Sequence, residues 1–177
     1  MLSPAAMLMG VKTVREAMEN SVIAEFVNKG IFNEIIPTVD MPSDELEAFA
    51  YDVLERFKNP FIDHYLSSII LNSVSKFRVR VLPSIKDHIG KYNKAPCCLV
   101  YSLAALIMFY KNGAPNDDES VIETIKRGTV SEILKDRSLW GEDLRFLREQ
   151  TESFTELIEK NGAGYAMAAA LGENAGV

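Results

Sequence analysis

Between Lys76 and Lys94 the chain carries Lys76, Arg78, Arg80, Lys86, Lys91 and Lys94 against a single acid, Asp87. The surrounding sequence runs the other way, with Asp and Glu outnumbering Lys and Arg by 25 to 19 and a net charge of −6. Inside the inversion, Asn72, Lys76 and Arg80 fall at successive i, i+4 steps, which on a helix stacks them along one side. Ser73 and Ser75 add hydroxyls nearby, while Val74, Phe77 and Val81 mark a separate, buried side. Amide, ammonium and guanidinium in one row suit a small polyhydroxylated carboxylate, with charge for the carboxylate and donors for the hydroxyls. They equally suit a solvated helix face whose acids sit elsewhere, and periodicity alone leaves the two readings level.

Other chemistry-bearing residues are sparse. The histidines are His64 and His88. His64 is expected one turn into a helix that starts at Pro60, beside Asp63 and with Ser67 on the next turn. Sequence neighbours on a helix point different ways, so Asp63 is poorly placed to orient a general acid–base. A structural or solvent-facing His64 competes with a substrate contact; it joins Asn72, Ser75, Lys76 and Arg80 as the candidate substrate-binding set. His88, among Lys86, Asp87 and Lys91, reads as a surface histidine. Cys97 and Cys98 open an apolar helix and read as core thiols; adjacent cysteines rarely bridge, which suits a reducing cytoplasm. Nothing repeats at zinc-site spacing, so no metal is expected. The acidic rows (Glu45, Asp52, Glu55; Glu149, Glu152, Glu156, Glu159) read as solvated faces, because carboxylates at helical spacing are too common to nominate an acid–base couple. No glycine-rich turn follows a strand, so neither a dinucleotide fingerprint nor a phosphate loop is present. No catalytic, cofactor-binding or metal residue is assigned.

The elements that position these residues read as helices almost throughout. Ser3-Pro4 opens a stretch that stops at Gly10; Thr13 with Glu16 forms a capping box. A helix from Ser21 runs toward Ile36 and stops at Pro37. Asp44 with Glu47 suggests a second capping box, for a helix ending near Lys58, and Asn59-Pro60 should start the next. Helical spacing then continues from Phe61 to Val81, followed by a short helix from Ser84 to Tyr92. Ala95 to Lys111 is apolar nearly all round and is the expected buried central helix. Helices over 119–127, 130–135 and 142–160, with Gly162 as C-cap and a small Ala-rich helix over 163–171, complete an all-α single multi-helix domain spanning 1–177. The acidic balance argues against nucleic acid. The best apolar run, Leu99 to Tyr110, is too short for a membrane span and contains Ser102. The start, whose first lysine is Lys12, does not read as a secretory signal.

The residues Asn59 to Leu66 (NPFIDHYL) and Asn72 to Pro83 (NSVSKFRVRVLP) resemble the C-terminal domain of the tagaturonate reductases, or altronate oxidoreductases. These belong to the polyol-specific long-chain dehydrogenases, with mannitol 2-dehydrogenase and mannonate oxidoreductase. The likeness extends to Gly10 to Ala17, Glu34 to Pro37 and Val53 to Phe57, and so covers most of the chain. It implies the helical fold of mannitol dehydrogenase-like (6-phosphogluconate dehydrogenase C-terminal-like) domains, closing over substrate beside an N-terminal Rossmann domain that binds NAD. The family's Lys-x4-Asn-x2-His catalytic motif does not occur here; the resemblance puts it just before Met1, and neither His64 nor His88 matches its histidine.

The leading expectation is therefore the substrate-binding domain of an NAD-dependent hexuronate oxidoreductase converting D-tagaturonate to D-altronate, inactive alone. The alternatives are a non-catalytic helical interaction or regulatory module, or the C-terminal domain of a mannitol (or mannitol-phosphate) dehydrogenase. The implied partners are a sugar acid and a Rossmann domain. An apolar patch where that domain packs, with Met1, Met7 and Met9 as candidates, could also drive self-association.

Overall fold

A computed structural model describes residues 2–172. The chain folds around α8 (Cys97–Asn112), in which every residue from Cys98 to Tyr110 is buried. A helix apolar on all sides cannot be stable at a surface, so the others wrap it. They are α1 (Leu2–Leu8), α2 (Val14–Glu19), α3 (Ser21–Lys29), α4 (Ser43–Phe57), α5 (Leu66–Ile69), α6 (Ser73–Arg80) and α7 (Leu82–Tyr92) before it. After it come α9 (Glu119–Arg127), α10 (Val130–Lys135), α11 (Arg137–Trp140), α12 (Arg148–Asn161) and α13 (Ala163–Ala170). Helices α1 and α12 lie along α8, and α13 fills the space between α8, α12, α1 and α3. Among the described residues there is no strand, only one antiparallel bridge between Thr13 and Tyr65, and no helix is long and apolar enough to cross a membrane.

Aromatic rings lock the centre. Tyr101 packs edge-on against Phe26 at 5.2 Å and Phe154 at 5.6 Å, and its hydroxyl donates to the Ala163 carbonyl at 2.7 Å. A buried phenol must place its proton, and this one does so on the helix that closes the core.

The capping box at Thr13 and Glu16 is present; hydrogen bonds from the Lys12 and Thr13 amides hold the Glu16 carboxyl below its ordinary range. The expected box at Asp44 is not: α4 begins at Ser43 behind Pro42, with no side-chain cap. The expected helix from Pro60 to Val81 is also corrected. Asn59 accepts the Phe61 amide at 2.9 Å in a local turn, competing with helix initiation. Val14 N then donates to His64 O, and Leu66 N to Lys12 O, both at 2.9 Å. These long-range bonds hold His64 and Tyr65 out of a helix, and only a single turn, α5, forms before Asn72 adopts a left-handed conformation (φ 52°, ψ 46°) and α6 starts.

The helix toward Pro37 is present but changes type. From Gly30 to Ile35 it widens to a π-helix, which turns the buried Glu34 inward. Its carboxylate accepts the amides of Cys98 and Leu99 at 2.9 Å each, capping the central helix from another element. The segment expected as a helix from Glu142 is shorter: α11 precedes it, the Asp143 carboxylate takes the Arg145 amide at 3.0 Å, and the α-helix begins only at Arg148. Gly162 closes it with φ 89°, a conformation that favours glycine.

Candidate anion-binding recess

Helix α6 sets two faces at once. Val74 and Phe77 are buried, with Phe77 edge-on to Trp140 at 6.0 Å. Four residues apart on another face, Lys76 and Arg80 line a recess of about 130 Å³. Its walls are Ser3 and Pro4 of α1, Ile69 of α5, Ser73, Phe77 and Val81 of the α6 segment, and Ser102 and Leu106 of α8. No acid is among them. Two cations at i, i+4 repel each other, and here no carboxylate in the recess relieves them. The Lys76 ammonium donates to the Ile69 carbonyl at 2.9 Å, which fixes it over the rim, while Arg80 is exposed and has no ion pair among the described residues. Hydroxyls from Ser3, Ser73 and Ser102 sit beneath; Ser73 donates to Ile70 O at 2.5 Å and Ser102 to Leu99 O at 2.7 Å, leaving oxygen lone pairs free to accept.

Of the candidate set, the fold brings Lys76 and Arg80 together and leaves Asn72, Ser75 and His64 outside the recess lining. Asn72 is the residue before α6, not on it, and its amide goes to Asn116 O at 2.9 Å. Ser75 turns its hydroxyl back to Asn72 O at 3.0 Å. His64 lies exposed on the connecting loop rather than on a helix, with its carbonyl taken by Val14. Ser3 and Ser102 carried no row signal in the sequence: α1 and α8 reach the site only through tertiary packing. A polar residue inside the apolar run was the one hint, and it was Ser102.

The remaining candidates settle into structure. His88 is half-buried, its Nδ1 3.0 Å from Lys94 O and its ring on Tyr92 at 4.7 Å. Burial, with Glu34 beside it, pushes the Cys98 thiol up, so it stays protonated and inert. Cys97 is half-buried and accepts from Gln150 Nε2 at 3.4 Å. Among the described residues no cluster could hold a metal. Nothing there fits a nicotinamide dinucleotide either: no strand leads into a glycine-rich turn, and Gly10, Gly141, Gly162 and Gly172, the glycines with positive φ, lie just beyond helix ends.

A second, shallow groove of about 340 Å³ is lined by Met7, Gly10, Val11, Lys12, Tyr65 and Ser67. Tyr65 belongs to the most exposed apolar stretch, with Phe61 at 91% and Ile62 at 53% exposure. Of the expected methionine patch, Met7 faces this groove, Met9 instead packs on α13 beside Gly164, and Met1 lies outside the described residues.

The family model for the mannitol dehydrogenase C-terminal domain matches residues 1–163. An altronate oxidoreductase of Halalkalibacterium halodurans is 37% identical over 201 residues, covering 96% of this chain and 39% of that protein. One of Phocaeicola vulgatus is 39% identical over 159 residues, covering 81% and 33%. The chain thus spans about a third to two fifths of the length of these relatives. Among solved structures, Pseudomonas fluorescens mannitol 2-dehydrogenase, a ternary complex with NAD and D-mannitol, superposes with a TM-score of 0.81 at 18% identity, over 97% of this chain and 38% of that one. D-sorbitol dehydrogenase in substrate-free form gives 0.80 at 19%, over 94% and 37%. These two show a shared fold. With the matched family model and the sequence identity to the altronate oxidoreductases, they establish that the chain belongs to the mannitol dehydrogenase C-terminal domain family.

Proposed function

We propose that this chain is the substrate-side helical domain of an NAD-dependent hexuronate oxidoreductase of the tagaturonate reductase type, interconverting D-tagaturonate and D-altronate. The observation that carries the reading is the recess where Lys76 and Arg80 meet serine hydroxyls with no acid among the lining residues. A carboxylate there relieves the repulsion between the two cations and pairs with the guanidinium fork, while the serine oxygens accept from the adjacent carbinols. The names of the relatives point to a sugar acid rather than a neutral polyol. Asn72, Ser75 and His64 enter only if the ligand extends past the rim.

Cofactor chemistry is assigned to a separate NAD-binding domain, because the described residues offer it no seat. That domain would pack over the groove of Met7 and Tyr65 and the exposed Phe61 and Ile62. Without it the chain binds substrate and does not turn it over. Free thiols and an NAD-linked reaction suit the cytoplasm.

The test is calorimetric titration of the chain with D-altronate, D-altritol and D-mannitol 1-phosphate. Lys76→Ala and Arg80→Ala should each weaken D-altronate binding at least tenfold and leave D-altritol within twofold. Equal losses on the acid and the neutral polyol would sink carboxylate recognition. A preference for the phosphate ester would transfer the domain to a mannitol-phosphate enzyme.

A further inference from the structure

The recess between α1, α5, α6 and α8 is small. Its volume of about 130 Å³ is less than half of the roughly 300 Å³ at which pockets for whole small molecules begin. It has room for one end of a six-carbon sugar acid rather than for the whole chain. Its polar groups are also sorted by depth. At the rim stand Lys76 and Arg80, whose side chains donate and cannot accept. The Lys76 ammonium has three protons and gives one to Ile69 O, which leaves two for a ligand. Deeper lies Ser102, 1% exposed, and Ser73 shares the lining with it. Both hydroxyl protons are committed, to Leu99 O at 2.7 Å and to Ile70 O at 2.5 Å. Each oxygen therefore meets a ligand as an acceptor only. Apart from Ser3, the remaining walls are apolar: Pro4, Ile69, Phe77, Val81 and Leu106.

Donors at the rim and acceptors at depth select a particular end group. A carboxylate satisfies the cations, but it carries no proton for the serines, whose lone pairs its own would meet. A hydroxyl on the adjoining carbon supplies that proton. Close packing of α1 on α8 asks only for a small side chain at 102, which alanine, the better helix former, would meet as well. The Ser102 hydroxyl adds little to the fold, because its proton returns to a carbonyl of its own helix. In D-tagaturonate and D-altronate the carboxylate and the carbon that changes oxidation state lie toward opposite ends of the chain. Anchoring the first in the recess leaves the second outside the mouth, open to hydride from a separate cofactor domain.

We infer that the recess is an end-group site: it takes the carboxylate and adjoining hydroxyl of a 2-hydroxy acid and leaves the ketone end outside. Ser102 is the specificity residue that asks for the hydroxyl. The inference rests on the function proposed above and names the part of the substrate that this chain holds. Its test is NMR titration of the full chain with D-altronate, glycolate and acetate, the last two differing by one hydroxyl. D-altronate and glycolate should bind within about threefold of each other, and acetate at least about fivefold more weakly than glycolate, as one hydrogen bond requires. Ser102→Ala should bring glycolate to within about twofold of acetate, leave acetate as in the wild type, and leave the melting temperature unchanged or higher. A merely structural role would instead move the melting temperature, or both ligands together. If Ser102→Ala does not fold, the wild-type ratios decide. D-altronate more than threefold tighter than glycolate overturns the inference, because the chain would then hold the far carbons too. So does a glycolate–acetate gap below fivefold in the wild type, or one that survives Ser102→Ala. The functional reading fails separately: D-altronate more than threefold weaker than glycolate, or unbound, sinks that reading and leaves the end-group site standing. No binding of any of the three sinks both.

Discussion

Asn72 and Asp143 show what single residues do by local chemistry. The left-handed backbone of Asn72 costs an ordinary L-residue about 1–2 kcal/mol, and its side chain contributes no cap. Asn72→Val should therefore lower stability by about 1 kcal/mol in urea unfolding, while Asn72→Gly should be neutral or stabilising; a Gly variant as weak as Val would refute the backbone account. At Asp143 the Arg145 guanidinium, reinforced by the Arg145 amide, holds the carboxyl down to about 2. A carboxyl depressed on folding stabilises the fold above its unfolded value of about 3.9, and that contribution fades as pH falls from about 4 toward 2. Both groups are at the surface, so salt should weaken the effect. NMR titration should place the Asp143 midpoint near 2, and Arg145→Ala should return it toward the ordinary range.

At the scale of elements, the π-helical turn matters most. It places the Glu34 carboxylate on the amides of Cys98 and Leu99, which open a helix buried along nearly its full length. Those amides lie where water cannot replace a lost partner, so Glu34→Ala should cost about 3 kcal/mol, and Glu34→Gln, with one oxygen exchanged for a donor, nearly as much. A shift in the urea midpoint worth less than about 1 kcal/mol in Glu34→Ala would show that the cap is dispensable. A second cross-element tie has the same form: the Lys29 ammonium reaches Leu171 O at 2.8 Å, closing α13 from α3. In contrast, the acidic rows of α4 and α12 are surface. Their pairs, such as Arg148 with Glu152 at 2.8 Å, are local and exposed, and contribute little.

For the molecule as a whole, the asymmetry between faces is the main feature. One side packs α8, α12 and α13 tightly, while the stretch from Phe57 to Leu71 exposes Phe57, Phe61, Ile62, Tyr65, Ile69 and Leu71. Contiguous exposed apolar surface marks an interaction face, and in the function proposed above it meets the cofactor domain. The isolated chain should then self-associate through it, and Phe61→Ser with Ile62→Ser should shift the sedimentation coefficient toward that of a monomer. Because both side chains are exposed, the melting temperature should not change. A double variant that still associates as the wild type does would remove this face from consideration.

The sequence by itself determined the all-α class, the central helix, α9 and α10 with their bounds, the capping box at Thr13 and the Gly162 cap. In each case the signal lies within a few residues: a period, a cap, or a left-handed glycine. It also put Lys76 and Arg80 on one helical face, because they lie within α6. Tertiary structure decided the rest. The break across residues 59–72 follows from backbone bonds to Lys12 and Val14 and from the grip of Asn116 on Asn72, partners more than forty residues away in sequence. That break removed Asn72 from the row and His64 from its helix. Packing brought Ser3 and Ser102 under the two cations and turned Glu34 inward. Local periodicity cannot encode contacts between elements distant in the chain. It had therefore shown the charges of the site but not its walls.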